Sequence, residues 1–433
     1  MLKLLRRLFG DRHADDATSI KGYPDFRYNY RLGIVNGVFF NTGMSFFNRT
    51  TIIPLFMASL GAPSILIAFL SLAETLGWHL PQFFASRLIV HKSLKMPLYR
   101  NAALLRVTGM ALAVAAAWSI PRMGEGWGIT LFTLGFGMFS LASGFGGIVF
   151  MEILAKTVPA VKRGSYFGWR AILSGVVGLF LGVGVINPIF AGIAYPHNYA
   201  VSFAIGLLMI AIRFYLFLQQ SEPVQTDLPP KRSFAEQLEL ARDILRNDKR
   251  FRRLVIFRSL MMLWFSSLPF YMLFAKERLD ATNDEVGLFI SWEFAGMIVA
   301  NIVWGFLSNR IGNRVLLITV CTLAALVSLG TMLFDAAALP TWIFGMVFFL
   351  SAAVDSGSGT GGINYALEIV PEAERPTYIG LMHSLLAGAL ILAAITGSLR
   401  DVIGYVGLFG VTAVVAIIAL IIAIRMPEPR RGT

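Results

Sequence analysis

VPAVKRGSYFG, at Val158–Gly168, comes back as VPEAERPTYIG at Val370–Gly380. Val, Pro, Arg, Tyr and Gly coincide in register, and Ser165 is matched by Thr377. Both copies sit between long apolar stretches. A repeat of this period is too long for a solenoid unit and fits a duplicated membrane half. The duplication predicts an all-α polytopic membrane protein of two pseudo-symmetric six-helix halves, and makes a two-halved transporter the first functional reading.

Composition agrees. Of 433 residues, 56% are apolar and 14% charged, against about a quarter charged in a soluble chain. Apolar runs long enough to cross roughly 30 Å of hydrocarbon recur twelve times, near 32–57, 63–84, 101–120, 128–152, 167–189, 199–218, 252–275, 285–305, 315–334, 342–366, 378–398 and 405–425. This divides the chain into an N-terminal tail (1–30), a first half (31–218), a linker (219–251), a second half (252–425) and a C-terminal tail (426–433). Met1–Gly10 is basic and leucine-rich, but its apolar run is too short for a signal peptide and suits the inner membrane surface.

The net charge of +12 reports topology rather than nucleic acid. With both termini in the cytoplasm, only Arg122, Lys276, Arg278 and Arg400 fall outside, and most other Lys and Arg fall inside. The expected location is the cell membrane, multi-pass, with the bilayer as partner and the chain a monomer. Cys321 is the one cysteine and lies within a span, which gives neither a disulfide nor a thiol metal site. No cofactor or metal is expected.

The linker opens with Pro and Gln. Ser233 and Glu236 then form a capping box, and Phe234, Leu238, Ala241 and Leu245 follow at helical spacing. Ser233–Asn247 is therefore read as an amphipathic helix, lying along the cytoplasmic interface or merely spacing the halves.

Between the eighth and ninth spans, Gly305-Phe-Leu-Ser-Asn-Arg310-Ile-Gly312-Asn-Arg314 resembles the signature loop of the major facilitator superfamily, in which a Gly, an Asp-Arg pair, a second Gly and further basic residues link two helices. The twelve spans, the six-plus-six split and the repeated loops extend the resemblance over nearly the whole chain. Two departures stand out. Asn309 replaces the usual Asp, and the equivalent first-half stretch, Phe84–Lys92, keeps only Arg87 and trailing basic residues. Arg87, Arg310 and Arg314 then read as topological and helix-capping charges. In the fifth span the series Gly175, Gly178, Gly182 and Gly184 resembles the glycine-rich helix of drug-exporting members.

Ionisable groups inside spans are the functional pointers, since each costs about 2.5–3.5 kcal/mol at the bilayer centre unless it faces protein or water. Arg49 lies deep in the first span, bordering a stripe of Gly37, Asn41, Ser45 and Asn48 at helical spacing. The resemblance places the first, fourth, seventh and tenth helices around a central cavity, which puts this stripe on the substrate path. Asp355, with Ser351, Ser358, Gly362 and Tyr365 on roughly one face of the tenth span, is a candidate to carry a proton or anchor a cationic group. Arg49 and Asp355 either pair or meet substrate separately. Glu74 and Glu293, at near-equivalent places in the second and eighth spans, are two further proton-coupling candidates. Trp264, Tyr271 and Trp292 offer aromatic faces to an organic substrate or serve packing. Glu152 and Glu368, with Arg163 and Arg375, are candidates to clamp the repeated loops. His79 and His383 read as packing groups.

No metal spacing, phosphate-cradling loop or nucleophile elbow appears, so the chain reads as no enzyme. The expected function is secondary active transport of a small organic solute by alternating access, coupled to H+ through Asp355 and Glu293. Drug or metabolite efflux is the alternative, with lipid or lysolipid translocation more distant. A polytopic enzyme or sensor would need catalytic loops or a signalling domain that this sequence does not show.

Overall fold

The computed structural model describes residues 23, 25–80, 89, 92–225, 234–337, 340–371 and 374–429. Ten of its helices are long and apolar enough to cross a membrane. They match the third to twelfth predicted spans: Met96–Met123 (α4), Glu125–Thr157 (α5), Ala160–Leu181 (α6) continuing into Asn187–Gly192 (α7), His197–Leu218 (α8), Lys249–Trp264 (α10) continuing into Leu268–Arg278 (α11), Glu285–Arg310 (α12), Asn313–Ala337 (α13), Thr341–Ile369 (α14), Arg375–Ser398 (α15) and Arg400–Arg425 (α16). The second span is described as Ser64–His79 (α3).

The first span departs from the sequence reading. It is two helices, Phe26–Ser45 (α1) and Ile52–Ser59 (α2), with an unwound stretch between them. The reason is local. Asn48-Arg49-Thr50-Thr51 puts four polar residues in a row, and Asn48 competes for the backbone. Its Oδ1 accepts from the amides of Thr50 (2.8 Å) and Thr51 (2.9 Å). Those donors would otherwise be orphaned where α2 begins.

Each half has an aromatic core. Phe47, Phe56, Phe132, Phe136 and Phe203 stack in the first, and Phe274, Phe289, Phe344, Phe348 and Phe409 in the second.

The halves meet along two seams. In one, α6 and α7 lie on α12 so closely that a Cβ on Gly182 would sit 2.4 Å from the Gly287 carbonyl oxygen, and one on Gly287 2.0 Å from that of Gly182. Ser291 Oγ donates to the Leu179 carbonyl (2.8 Å), and the Leu288 amide to Asn187 Oδ1 (3.1 Å). In the other, α3 packs on α15, and the rings of His79 and His383 meet at 4.8 Å.

The repeated loops have one job in common. Arg163 Nη2 donates to the Ala155 carbonyl (3.0 Å) and Arg375 Nη2 to that of Leu367 (3.3 Å), each reaching eight residues back to cap the preceding helix. Arg314 Nη2 likewise donates to the Ile424 carbonyl at 2.5 Å. The linker helix, Phe234–Asn247 (α9), buries Ala241 and Ile244 and packs on α10 and α15. Part of its apolar side is thus docked on protein, while Leu238 on that side stays exposed. Ser233, Met1–Gly10 and Arg87 lie outside the described residues.

Candidate functional site

A cavity of roughly 970 Å³ lies between the halves. Asn41, Ser45, Asn48, Arg49, Glu74, Glu293 and Asp355 all line it. Its mouth is formed by Gly164 and Phe167 early in the fifth span, Asn301 late in the eighth, and Thr360 and Asn364 late in the tenth. These positions lie toward the end at which α1 begins, α16 ends and α9 packs. At the opposite end the glycine seam closes the cleft. There Ser64 Oγ donates to Asp401 Oδ1 (2.6 Å), while Arg400 Nη2 pairs with Glu277 (2.7 Å).

The unwound stretch forms the cavity's closed end and binds both carboxylates of the other half. Arg49 Nη2 lies 2.5 Å from Asp355 Oδ2, and its Nη1 donates to Thr75 Oγ1 at 2.6 Å. Asn48 Nδ2 donates to Glu293 Oε2 at 2.6 Å, and Thr50 Oγ1 is hydrogen-bonded to Glu293 Oε1. Glu293 therefore receives neutral donors, whereas Asp355 receives a guanidinium. Asn41 Nδ2 reaches Ser174 Oγ (3.0 Å), tying the stripe to the fifth span. Glu74 makes no hydrogen bond among the described residues; the cations whose fields reach it are Arg106, Arg49 and Arg213.

Three expected substrate contacts sit elsewhere. Trp264 is fully buried and donates to Ser328 Oγ (3.0 Å) on the ninth span. Tyr271 is bonded to Ser267 Oγ (3.0 Å) and packs on Phe409. Tyr365 donates to the Pro427 carbonyl (2.8 Å), tethering the C-terminal segment. In each case an apolar ring completes the core and its polar tip finds an internal hydrogen-bond partner, and none of the three lines the cavity.

With the mouth end of the molecule open, the loop charges are engaged locally. Arg163 and Arg375 cap carbonyls, and Glu368 accepts from Asn313 Nδ2 (2.9 Å). Asn313 Oδ1 accepts from Ser308 Oγ (2.7 Å), so neutral groups tie the signature loop together where the family's acidic residue is missing. Arg310 sits exposed at the end of α12. At that same end of the molecule Glu222 accepts from the amides of Lys95 and Met96 and from Lys156 Nζ (2.7 Å). Glu152 acts on Lys95 by its charge. Burial, and then the Lys156 charge, hold the Lys95 ammonium below its ordinary pKa.

Sequence reading passed over four buried arginines, Arg106, Arg170, Arg213 and Arg258. Their signal was available, since Arg106, Arg170 and Arg213 are each a lone cation within an apolar run and Arg258 lies beyond the basic start of another. Arg170 Nη1 donates to the Gly33 carbonyl (2.8 Å) and Tyr166 Oη (2.9 Å). Arg258 is bonded to the Ser358 carbonyl. Arg106 and Arg213 both stack on Phe40 and Phe214.

Two helical halves around a one-ended central cavity define a membrane transporter fold. The Major Facilitator Superfamily model matches residues 261–433, and the chain has that superfamily's fold. The D-xylose-proton symporter structure aligns with a TM-score of 0.68 at 15% identity, over 93% of this chain and 98% of that one. A variant of the nucleoside transporter NupG aligns at 0.69 and 12%, over 92% and 100%. A bacterial homologue of the iron transporter ferroportin, in its outward-facing state, aligns at 0.62 and 15%, over 92% and 99%. At such identities the likeness is one of fold. No curated protein matches the chain.

Proposed function

We propose that this protein is a secondary active transporter of a small organic solute that works by alternating access and is coupled to protons through Glu293 and Asp355. The observation that carries the reading is the unwound stretch of the first span, whose Asn48, Arg49 and Thr50 hold both carboxylates from the opposite half at the closed end of the cavity. Irregular backbone at membrane depth is tolerated where it lines a cavity, and broken helices mark the sites of secondary transporters. A carboxylate bonded across the halves ties its protonation to their separation, because protonation removes the charge that Arg49 holds. Moving the halves apart at one end and together at the other then carries the proton and solute across.

The test needs no known substrate. Gly164 lines the cavity mouth with open space around its Cα, so Gly164→Cys reports access with a membrane-impermeant thiol reagent, and Cys321 is buried. In liposomes an imposed pH gradient should change its labelling rate several-fold, and Glu293→Gln with Asp355→Asn should remove the response. A rate indifferent to the gradient in the otherwise wild-type protein would reject proton coupling.

A further inference from the structure

The interior of the described spans holds five guanidinium groups, Arg49, Arg106, Arg170, Arg213 and Arg258, against three carboxylates, Glu74, Glu293 and Asp355. Glu152 is left aside, since it sits near a helix end and acts on Lys95. Residues 81–88, 90 and 91, outside the described residues, include no acid that could restore the balance. Among the described residues Asp355 is the one carboxylate of the three with a guanidinium in contact. Arg170 and Arg258 are met by neutral acceptors. Arg106 Nε and Nη2, Arg213 Nε and Nη1, and Arg258 Nε are buried without any acceptor. Phenyl faces soften this cost without cancelling charge. A surplus of buried cations is expensive, and its positive field makes the interior a better host for an anion than for a further cation.

Of these arginines Arg49 is the one that lines the cavity, and the cavity fits such a guest. Its wall is largely apolar, with Met44, Phe47, Phe167, Phe294, Met297 and Ile363. Arg49 presents a guanidinium at the closed end, with its side chain 23% exposed and that of Asp355 41% exposed. The ion pair is thus open to competition from the cavity.

We propose that the transported solute is an organic anion with an apolar body, and that its charged group takes the place of Asp355 on Arg49. The proposal rests on the transport reading above and gives it a substrate class. Displaced from Arg49, Asp355 stands near Glu74 and Glu293, with Arg258 as the remaining cation whose field it feels. A proton drawn from the bulk solution through the open cavity then neutralises the displaced carboxylate. One anion and one proton enter together, and the membrane interior carries no more net charge than before.

Three probes with one ring system and different charge test this: naphthoate, naphthylmethylammonium and naphthalenemethanol, titrated into the full-length protein in nanodiscs at one ionic strength. Naphthoate should bind about tenfold or more tightly than the other two. Its binding enthalpy should vary with the ionisation enthalpy of the buffer, reporting proton uptake. Asp355→Asn should tighten naphthoate about tenfold by removing the competitor and should abolish the uptake, while Arg49→Gln should lose binding. Preference for the ammonium or the alcohol, or no naphthoate binding at all, overturns the proposal in the wild-type protein, before any variant is made. So does weaker naphthoate binding by Asp355→Asn. If Gly164→Cys still answers to a pH gradient in that case, the transport reading survives and only the substrate class falls.

Discussion

Arg49 and Asp355 were both visible in the sequence as charges where hydrocarbon forbids them, yet their pairing was one of two open readings. The reason is that Arg49 does not sit on a helix. Asn48 turns the backbone, and this swings the guanidinium off the stripe that helical spacing predicted, toward Thr75 and Asp355. A fully buried pair would cost roughly 3–5 kcal/mol when one partner is lost. Here both side chains are partly open to the cavity, and screening lowers that expectation to about 1 kcal/mol. A thermal-unfolding cycle over the wild type, Arg49→Ala, Asp355→Asn and the double variant should therefore show positive coupling of about that size, with the double variant more stable than the sum of the single losses predicts. Strict additivity, within about 0.5 kcal/mol, would mean that the contact contributes nothing to the folded state.

At the scale of elements, the repeat was legible as a duplication but its physical role was not. Its arginine spends itself on the carbonyls of the preceding helix, a contact eight residues back that no helical or strand period foretells. The glycine series of the fifth span was visible in the sequence, but its partner on the eighth span was hidden because that side of the seam contributes a lone Gly287. Gly312 is a different case: it adopts φ 125°, so a side chain there is strained by conformation, whereas the Glu428 carboxylate against it could swing aside. The seam yields a prediction. In Gly182→Ala the new methyl would sit 2.4 Å from a backbone oxygen and 2.2 Å from Ser291 Oγ. A backbone atom cannot rotate away, so α6 and α12 must part at the closed end of the cavity. The variant should favour the alternative state, in which the mouth near Gly164 closes, and labelling of Gly164→Cys should slow several-fold. Gly184→Ala, whose added carbon meets nothing within 4 Å, should label at the normal rate. Equal slowing in both would show that the effect is on helix stability and not on the seam.

For the whole molecule, hydropathy and duplication carry the architecture because every backbone polar group in lipid must be satisfied internally, which leaves helices as the available form. What they leave unsaid is the conformational state, since that depends on which ends of the helices touch. The structure closes one end with the Gly182–Gly287 seam and the Ser64–Asp401 contact, and opens the other beside Gly164 and Asn364. Charge then assigns the sides. The open end carries the linker and the basic loops, whereas the closed end bears Arg122, Lys276, Arg278 and Arg400, of which Arg400 is already paired with Glu277. On the positive-inside rule the open end is expected to be the cytoplasmic one. An impermeant thiol reagent should consequently label Gly164→Cys from the cytoplasmic face of inverted vesicles and leave it untouched in intact cells. A reporter within 278–283 should be external, and one within 219–247 internal. Gly164 sits at the start of a helix and within the cavity mouth, so the two kinds of measurement are independent. Reporters on the expected sides with labelling only from outside would keep the topology and reverse the resting state, whereas both reporters on one side would remove the twelve-span threading itself.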